Sequence, residues 1–119
     1  MNLTTISGNV GKDPELRMTQ SGMKVSTYSL AVNRANPKDK DKPITDWFTV
    51  VAWGDQADLV VKTLKKGTRV LVNGRFQTRQ YENSQGQKVN VTELMQNDFW
   101  VAPKAEDNGS IFDDSDLPF

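Results

Sequence analysis

The chain has 119 residues, no cysteine, no histidine, and 15 basic and 15 acidic side chains, which cancel to a net charge of zero. The length fits one domain, and the missing residue types exclude a disulfide framework, a thiolate metal site and the usual general base. Since no apolar run reaches membrane-spanning length and the N-terminus has no signal-peptide pattern, we expect a cytoplasmic protein that needs no cofactor and is not an enzyme.

The charges are separated along the chain. Residues 1–105 hold all 15 Lys and Arg but only 10 Asp and Glu, so this part carries +5, while residues 106–119 carry −5. A basic body with an acidic end indicates that the two parts have different partners.

Alternation of apolar and polar residues predicts the first strands. Residues 4–10 place Ile6, Gly8 and Val10 on one face, and residues 24–33 do the same with Tyr28, Leu30 and Val32. The polar stretch 34–42 between them and the next strand predicts a loop. Residues 46–53 then form an aromatic and β-branched run that favours a third strand.

After Gly54 the apolar period changes from two to about 3.6 residues, which predicts a helix over residues 56–66. Asp55 is the expected N-cap, Lys65 and Lys66 suit the C-terminal turn, and Gly67 fits a left-handed C-cap residue.

Alternation returns at residues 68–81 and predicts a fourth strand, followed by a hairpin turn at residues 83–86, a return arm through Val89 and Val91, and a closing segment over residues 94–101. Three strands, a helix and two more strands predict an all-β protein, a five-stranded OB-fold barrel with one short α-helix between strands 3 and 4. An SH3-like barrel would not need this helix. We assign residues 1–102 to the barrel, 103–112 to a short linker and 113–119 to an acidic tip, with the C-terminal tail disordered.

The third strand has more aromatic surface than one core needs. Phe48, Val50 and Ala52 share the face that fills the core, while Trp47 and Trp53 share the other face with residues 49 and 51. The corresponding face of the fourth strand presents Arg75, Arg79 and Tyr81. Rings on which bases stack, placed among cations that contact phosphates, are typical of a binding surface for single-stranded nucleic acid. An ordinary core or a subunit interface is the alternative, and Thr49 and Val51 could face either.

Two sets of candidate residues follow from this interpretation. The predicted stacking residues are Trp47, Trp53 and Tyr81, and the predicted phosphate contacts are Arg34, Arg75, Arg79, Lys12 and Lys38.

The C-terminal end combines aspartates with an apolar terminus. A solvated solubility tail explains the acidic residues but not the final Leu-Pro-Phe, and the segment lacks the glycine and trailing glutamate of a calcium loop. We therefore predict a peptide that docks on protein partners. Its docking residues are Asp113, Asp114, Asp116, Leu117, Pro118 and Phe119.

The chain resembles the bacterial single-stranded DNA-binding protein family. The resemblance lies in residues 8–17, 45–54, 64–70, 73–79 and 113–119, so that it covers nearly the whole chain. It implies an OB-fold, usually in a homotetramer, which wraps single-stranded DNA without strong sequence preference in replication, repair and recombination. It also implies stacking by Trp47, Trp53 and Tyr81, and recruitment of replication and repair proteins by the tip.

Two departures from the family pattern bear on function. Residues 34–37 offer no aromatic side chain where many members have a stacking ring, and the linker is short. From residue 103 to 119 the chain spans at most about 55–60 Å, or about 20–25 Å as a flexible coil. Partners must therefore come close to the barrel, and the tip could fold back onto the basic groove.

Two other functions remain open at this point. An OB-fold adaptor could mainly assemble protein partners through the tip. RNA binding of the cold-shock type is a third possibility, although cold-shock chains lack this helix and tail.

Overall fold

The computed structural model describes residues 1–103, which form six strands and one helix. The strands are β1 (Thr4–Val10), β2 (Glu15–Met18), β3 (Lys24–Arg34), β4 (Ile44–Trp53), β5 (Arg69–Glu82) and β6 (Lys88–Val101), and α1 (Asp55–Thr63) lies between β4 and β5. The predicted linker beyond Pro103 and the predicted tip lie outside the described residues.

Five of the strands form a closed ring. The sheet order is β1-β5-β6-β4-β3-β2, and an additional pairing of β1 with β3 closes the ring. The one parallel contact joins β4 to β6, where Val50 faces Leu94 and Val51 faces Met95. The five-stranded OB-fold barrel is therefore confirmed. β2 is a sixth strand on the edge of β3. The sequence did not predict it because the alternation of Leu16 and Met18 with charged residues covers only four residues, all of which are exposed.

The barrel is filled by side chains from every ring strand and from the helix. The fully buried apolar side chains include Leu30, Val50, Val60, Val70, Val72 and Leu94. Helix α1 contributes Ala57 and Val60 to the interior, as its predicted apolar stripe requires, and Leu64 just beyond it is also fully buried.

The ends of the helix differ from the prediction. The N-cap is Gly54 and no side chain caps the helix, so Asp55 is the first helical residue and not the cap. The helix ends at Thr63 because Leu64 adopts extended backbone geometry, and Lys65 and Lys66 lie outside it. Gly67 has the expected positive φ of 89°, but it belongs to the following turn, where its N–H donates to the Val10 carbonyl at 2.8 Å.

Strands β5 and β6 form one long antiparallel pair. The predicted return arm and closing segment are a single strand of 14 residues. Residues 77–93, which we call the hairpin arm, extend beyond the ring, and the strand pairings of this segment are only between its own two sides. At its turn the Asn83 Oδ1 accepts the N–H groups of Gln85 and Gln87, each at 2.9 Å.

A buried hydrogen-bond network connects the barrel with the helix. The Tyr28 hydroxyl donates to Gln96 Oε1 at 2.7 Å, and Gln96 Nε2 donates to Gln56 Oε1 at 2.8 Å. Burial raises the pKa of the Tyr28 hydroxyl because the phenolate would lose its hydration. On the surface, Lys24 donates to Asp58 at 2.8 Å, and this contact raises the pKa of the lysine. These contacts fix α1 on the barrel.

Candidate nucleic-acid interface

The two tryptophans of β4 lie on the outer face of the barrel. Trp47 and Trp53 are 62% and 44% exposed, whereas Val50 and Ala52 between them are fully buried. The predicted assignment of faces is therefore confirmed for Val50, Ala52 and the two tryptophans. Phe48, predicted to fill the core with them, is only half-buried, and its ring lies 6.0 Å from that of Phe76. Strand geometry separates the two indoles by about 20 Å.

Trp47 lies beside the turn that follows β1. A Cβ built on Gly11 would be 2.6 Å from Trp47 Cζ3, so the ring lies where a side chain at residue 11 would have to be. On the strand, Trp47 is opposite Ala31, and neither this alanine nor Ser29 beside it carries a large side chain. Trp47 thus has room on the barrel surface because its neighbours are small.

Trp53 borders a cavity of about 450 Å³ on the outer face of the barrel. β2, the outer faces of β3 and β4, and the start of the hairpin arm surround it. Its lining residues are Arg17, Met18, Thr19, Val25, Thr27, Val51, Trp53, Gln77, Arg79, Glu93 and Met95. We call this cavity the groove. Val51 is only 6% exposed and belongs to this lining, so one of the two residues whose surroundings the sequence left open lies in the groove.

Arg79 connects the groove with the hairpin arm. Its Nε donates to Glu93 Oε1 at 2.8 Å, and its guanidinium carbon lies 5.6 Å from the centroid of the Tyr81 ring. The hydrogen bond and charge of Glu93 raise the pKa of Arg79 further, so this side chain is always a cation. Tyr81 is 45% exposed. The structure thus brings Trp53, Arg79 and Tyr81 into one region.

The other predicted phosphate contacts are more scattered. Arg75 is exposed and faces Met95 of the groove in the β5–β6 register. Arg34 pairs with Asp46 at 2.8 Å, and its even position places it on the opposite face of the β3–β4 ribbon from Trp47. Lys12 follows Gly11 and approaches Glu15 at 3.9 Å, and Lys38 lies exposed in the loop between β3 and β4.

Sequence reasoning missed five polar residues of the groove, which are Arg17, Thr19, Thr27, Gln77 and Glu93. Arg17 lies on the strand that was not predicted. Gln77 lies on the same face as Arg75 and Arg79, so the alternation of β5 already contained the signal for it. Glu93 could not be recognised from the sequence because its partner, Arg79, is 14 residues away on the opposite strand of the hairpin.

A second concavity of about 670 Å³ lies where α1 ends and β5 begins. Lys65, Lys66 and Arg69 line it together with Thr63 and Thr68. Its described lining is basic but contains no aromatic ring on which a base could stack. The two concavities therefore differ in chemistry.

An apolar patch lies on a different part of the barrel. Leu71 of β5 is paired with Trp100 of β6, and these side chains are 38% and 54% exposed. Strand β1 lies beside them, and its residues 4–8 pair with β5 alone. We call Leu71, Trp100 and the free edge of β1 the β1 patch.

The described part of the chain contains neither a cluster of three potential metal-ligating His, Cys, Asp or Glu residues nor a helix long and apolar enough to cross a membrane. A closed OB-fold barrel with exposed rings and guanidinium groups along an outer groove defines a protein of the nucleic-acid-binding class.

Comparison with known proteins identifies the family. The model of the single-strand binding protein family matches residues 1–101, and the chain belongs to this family. Family membership confirms the resemblance seen in the sequence and the prediction of a binding protein in place of an enzyme.

Individual relatives agree with this assignment. The chain is 40% identical over 109 residues to single-stranded DNA-binding protein 1 of Staphylococcus aureus, covering 91% of this chain and 70% of the relative. It is 46% identical over 94 residues to single-stranded DNA-binding protein A of Bacillus subtilis, covering 79% and 55% respectively. A solved structure described as a Plasmodium falciparum SSB complex with ssDNA matches with a TM-score of 0.75 and 34% identity, covering 87% of this chain and 96% of the other.

Proposed function

We propose that this protein binds single-stranded DNA without strong sequence preference. The observation that carries the proposal is that Trp53 and Arg79 line one groove of an OB-fold barrel, with the Tyr81 ring 5.6 Å from the Arg79 guanidinium carbon. Each stacked base contributes about 1–3 kcal/mol, and every base offers a ring face, so stacking gives affinity without reading sequence.

In this proposal Trp47, Trp53 and Tyr81 stack on bases while cations along the path contact phosphates. Arg79 lines the groove, and Arg75 is paired in register with the groove residue Met95, so these two are the best placed of the predicted phosphate contacts. Lys12, which follows Gly11 in the turn beside Trp47, and Lys38 are further candidate phosphate contacts outside the groove. Arg34 is the weakest of the five because it is paired with Asp46 and lies on the other face of its ribbon.

The decisive experiment titrates the protein with oligo-dT and follows tryptophan fluorescence. We expect quenching, affinity that falls with salt at a slope of about −0.7 per neutralised phosphate, and much weaker binding of duplex DNA. The double variant Trp47→Ala, Trp53→Ala should lose affinity by at least tenfold, read by anisotropy of a labelled oligomer. Unchanged affinity in that variant would remove the stacking assignment. A matched RNA oligomer tests the cold-shock alternative.

We further propose that the protein acts in DNA replication, recombination and repair, among the DNA of the nucleoid, and that residues 113–119 recruit partner enzymes. The acidic and apolar composition of this segment supports docking on a basic surface with an apolar pocket. Deleting Leu117, Pro118 and Phe119 should abolish partner binding while oligo-dT binding persists or rises. Loss of oligo-dT binding on that deletion would contradict both roles.

A homotetramer is the assembly we propose. The β1 patch supports it, because an unpaired strand edge and an exposed indole beside a leucine are features that a second copy can cover. A closed assembly would also bring several grooves close enough for one DNA strand to contact more than one barrel.

A further inference from the structure

The ion pair between Arg79 and Glu93 places a negative charge in the groove that we propose to bind DNA, which is itself negatively charged. The two residues lie on opposite strands of the hairpin arm, and both line the groove. Their side chains differ in depth: the arginine is 54% exposed, whereas the glutamate is only 12% exposed. The carboxylate therefore lies beneath the guanidinium, with the cation toward solvent.

The geometry of the pair determines which atoms of the arginine remain available. The hydrogen bond described for Arg79 uses Nε, so the two terminal nitrogens of the guanidinium are left to donate to another group. The guanidinium carbon also lies over the Tyr81 ring, 5.6 Å from its centroid. Glu93 and Tyr81 together hold the cation in one orientation at the border of the groove.

Seen from a group several ångströms away, the negative charge of Glu93 largely cancels the positive charge of Arg79. A phosphate near Arg79 interacts with a nearly neutral pair, whereas within residues 1–103 no carboxylate lies within 4.0 Å of Arg75 or Arg17. Neutralised arginines release fewer counterions when DNA binds, so they contribute less to affinity and to its salt dependence.

We propose that Glu93 is a positioning residue that fixes the orientation of Arg79 and at the same time limits the affinity for the DNA backbone. This inference rests on the proposed function. It assigns a role to Glu93 that is exerted through Arg79 and needs no contact between Glu93 and DNA. The affinity of the groove is thus set by a carboxylate beneath it as well as by the rings and cations that line it.

The first test is Glu93→Gln, which removes the charge and keeps the shape and an oxygen that accepts from Arg79 Nε. We expect oligo-dT to bind about two- to fivefold more tightly at low salt, the range for one exposed charge pair. The slope of log affinity against log salt should steepen by about 0.7, because one further phosphate is effectively neutralised. Anisotropy titrations between about 50 and 200 mM salt measure both quantities.

Three further variants separate positioning from a general change of charge. Glu93→Ala removes the acceptor as well and should bind less tightly than Glu93→Gln. Glu82→Gln removes a carboxylate from the same arm, where Glu82 is exposed and faces Lys88 in register, and should leave the slope unchanged. Combining Glu93→Gln with Arg79→Ala should abolish the gain, because the gain acts through the arginine.

The inference is overturned if Glu93→Gln leaves affinity and slope unchanged, if it weakens binding, or if the gain persists without Arg79. An equal gain in Glu82→Gln would also overturn it. These results are distinguishable from failure of the proposed function, in which the unmodified protein itself would not bind oligo-dT and both proposals would be rejected.

Discussion

The position of the Trp47 ring depends on the absence of a side chain at Gly11. The ring occupies the space beside Gly11 in which a Cβ would stand, and both Ala31 and Ser29 beneath it are small. The position of the Trp47 ring, which we propose to stack on a base, therefore depends on the small size of these three neighbours. This dependence could not be seen in the sequence, because 36 residues separate Gly11 from Trp47.

Gly11→Ala should move the Trp47 ring and weaken DNA binding without unfolding the barrel. The added methyl would lie 2.6 Å from Cζ3, so the indole has to shift. We expect oligo-dT affinity to fall by about threefold to tenfold, part of the value of one stacked base. In the background of Trp47→Ala the same substitution should have no further effect on affinity, and an additive loss would show that Gly11 acts by another route.

The buried hydroxyl of Tyr28 predicts a pH dependence of stability. Its pKa is raised in the folded state, so folding stability is fully present below the unfolded pKa of about 10 and decreases as the pH rises above that value. Tyr28→Phe should cost about 1–3 kcal/mol at neutral pH, because Gln96 Oε1 loses its donor. Above pH of about 10 the variant should lose stability less steeply than the unmodified protein. Urea unfolding at several pH values measures both effects, and parallel pH curves would contradict the assignment.

The side chains that surround a candidate site were harder to predict than the site residues themselves. Composition and alternation placed Trp47, Trp53 and Tyr81 on the surface, where the structure shows them. They gave no indication that Arg34 and Arg79 are paired with carboxylates, since those partners lie 12 and 14 residues away across strand pairs. Cross-strand register decides such contacts, and register was not accessible from one sequence.

At the scale of elements, the register of β5 against β6 shifts where the ring gives way to the hairpin arm. Asn73 faces Asp98, but Gly74 faces Gln96, which leaves Asn97 unpaired as a β-bulge. A bulge bends the strand and increases its twist, so it can direct the arm away from the ring. The glycine is required there because its backbone approaches the carbonyl of Met95 closely.

Gly74→Ala should destabilise the protein strongly. A Cβ at this position would stand 2.1 Å from the Met95 oxygen, which belongs to backbone and cannot rotate away. We expect a loss of about 2–4 kcal/mol in the free energy of unfolding, in the range for overpacking and backbone strain. Gly86→Asn is the control, since Gly86 has a positive φ of 78° and open space around it, and asparagine tolerates that conformation. Equal stability of the two variants would show that the close approach is not needed.

The elements that were predicted correctly are those with a clear apolar period. β4 presents its exposed indoles on one face and the buried Val50 and Ala52 on the other, and α1 presents one buried stripe, as the sequence pattern indicated. The exception in β4 is Val51, which is buried on the indole face. β2 has no buried side chain to reveal it, and it forms only because β3 offers a free edge. The predicted end of α1 at residue 66 was wrong, because the helix stops at Thr63 and Leu64 is buried in extended conformation. The helix-stop signals of Lys65, Lys66 and Gly67 therefore did not decide where the helix ends.

At the scale of the whole molecule, the β1 patch gives the proposed assembly a measurable consequence. Leu71→Glu places a charge beside Trp100 on a half-exposed surface, so the monomer should remain folded while association is weakened. We expect light scattering to give a smaller mass for the variant than for the unmodified protein at equal concentration. Leu59→Glu is a suitable control because Leu59 is 46% exposed on α1, away from the patch. An unchanged mass for Leu71→Glu would place the interface elsewhere.

The hairpin arm has a consequence for how the groove opens and closes. It is a ribbon of two strands, and such a ribbon is only marginally stable without further support. Its amide protons should exchange with solvent faster than those of the ring, since opening it breaks no ring pairing. Each opening would carry Arg79 and Tyr81 away from Trp53 while the barrel stays folded. A strand of DNA could then enter the groove sideways, anywhere along its length, without needing a free end.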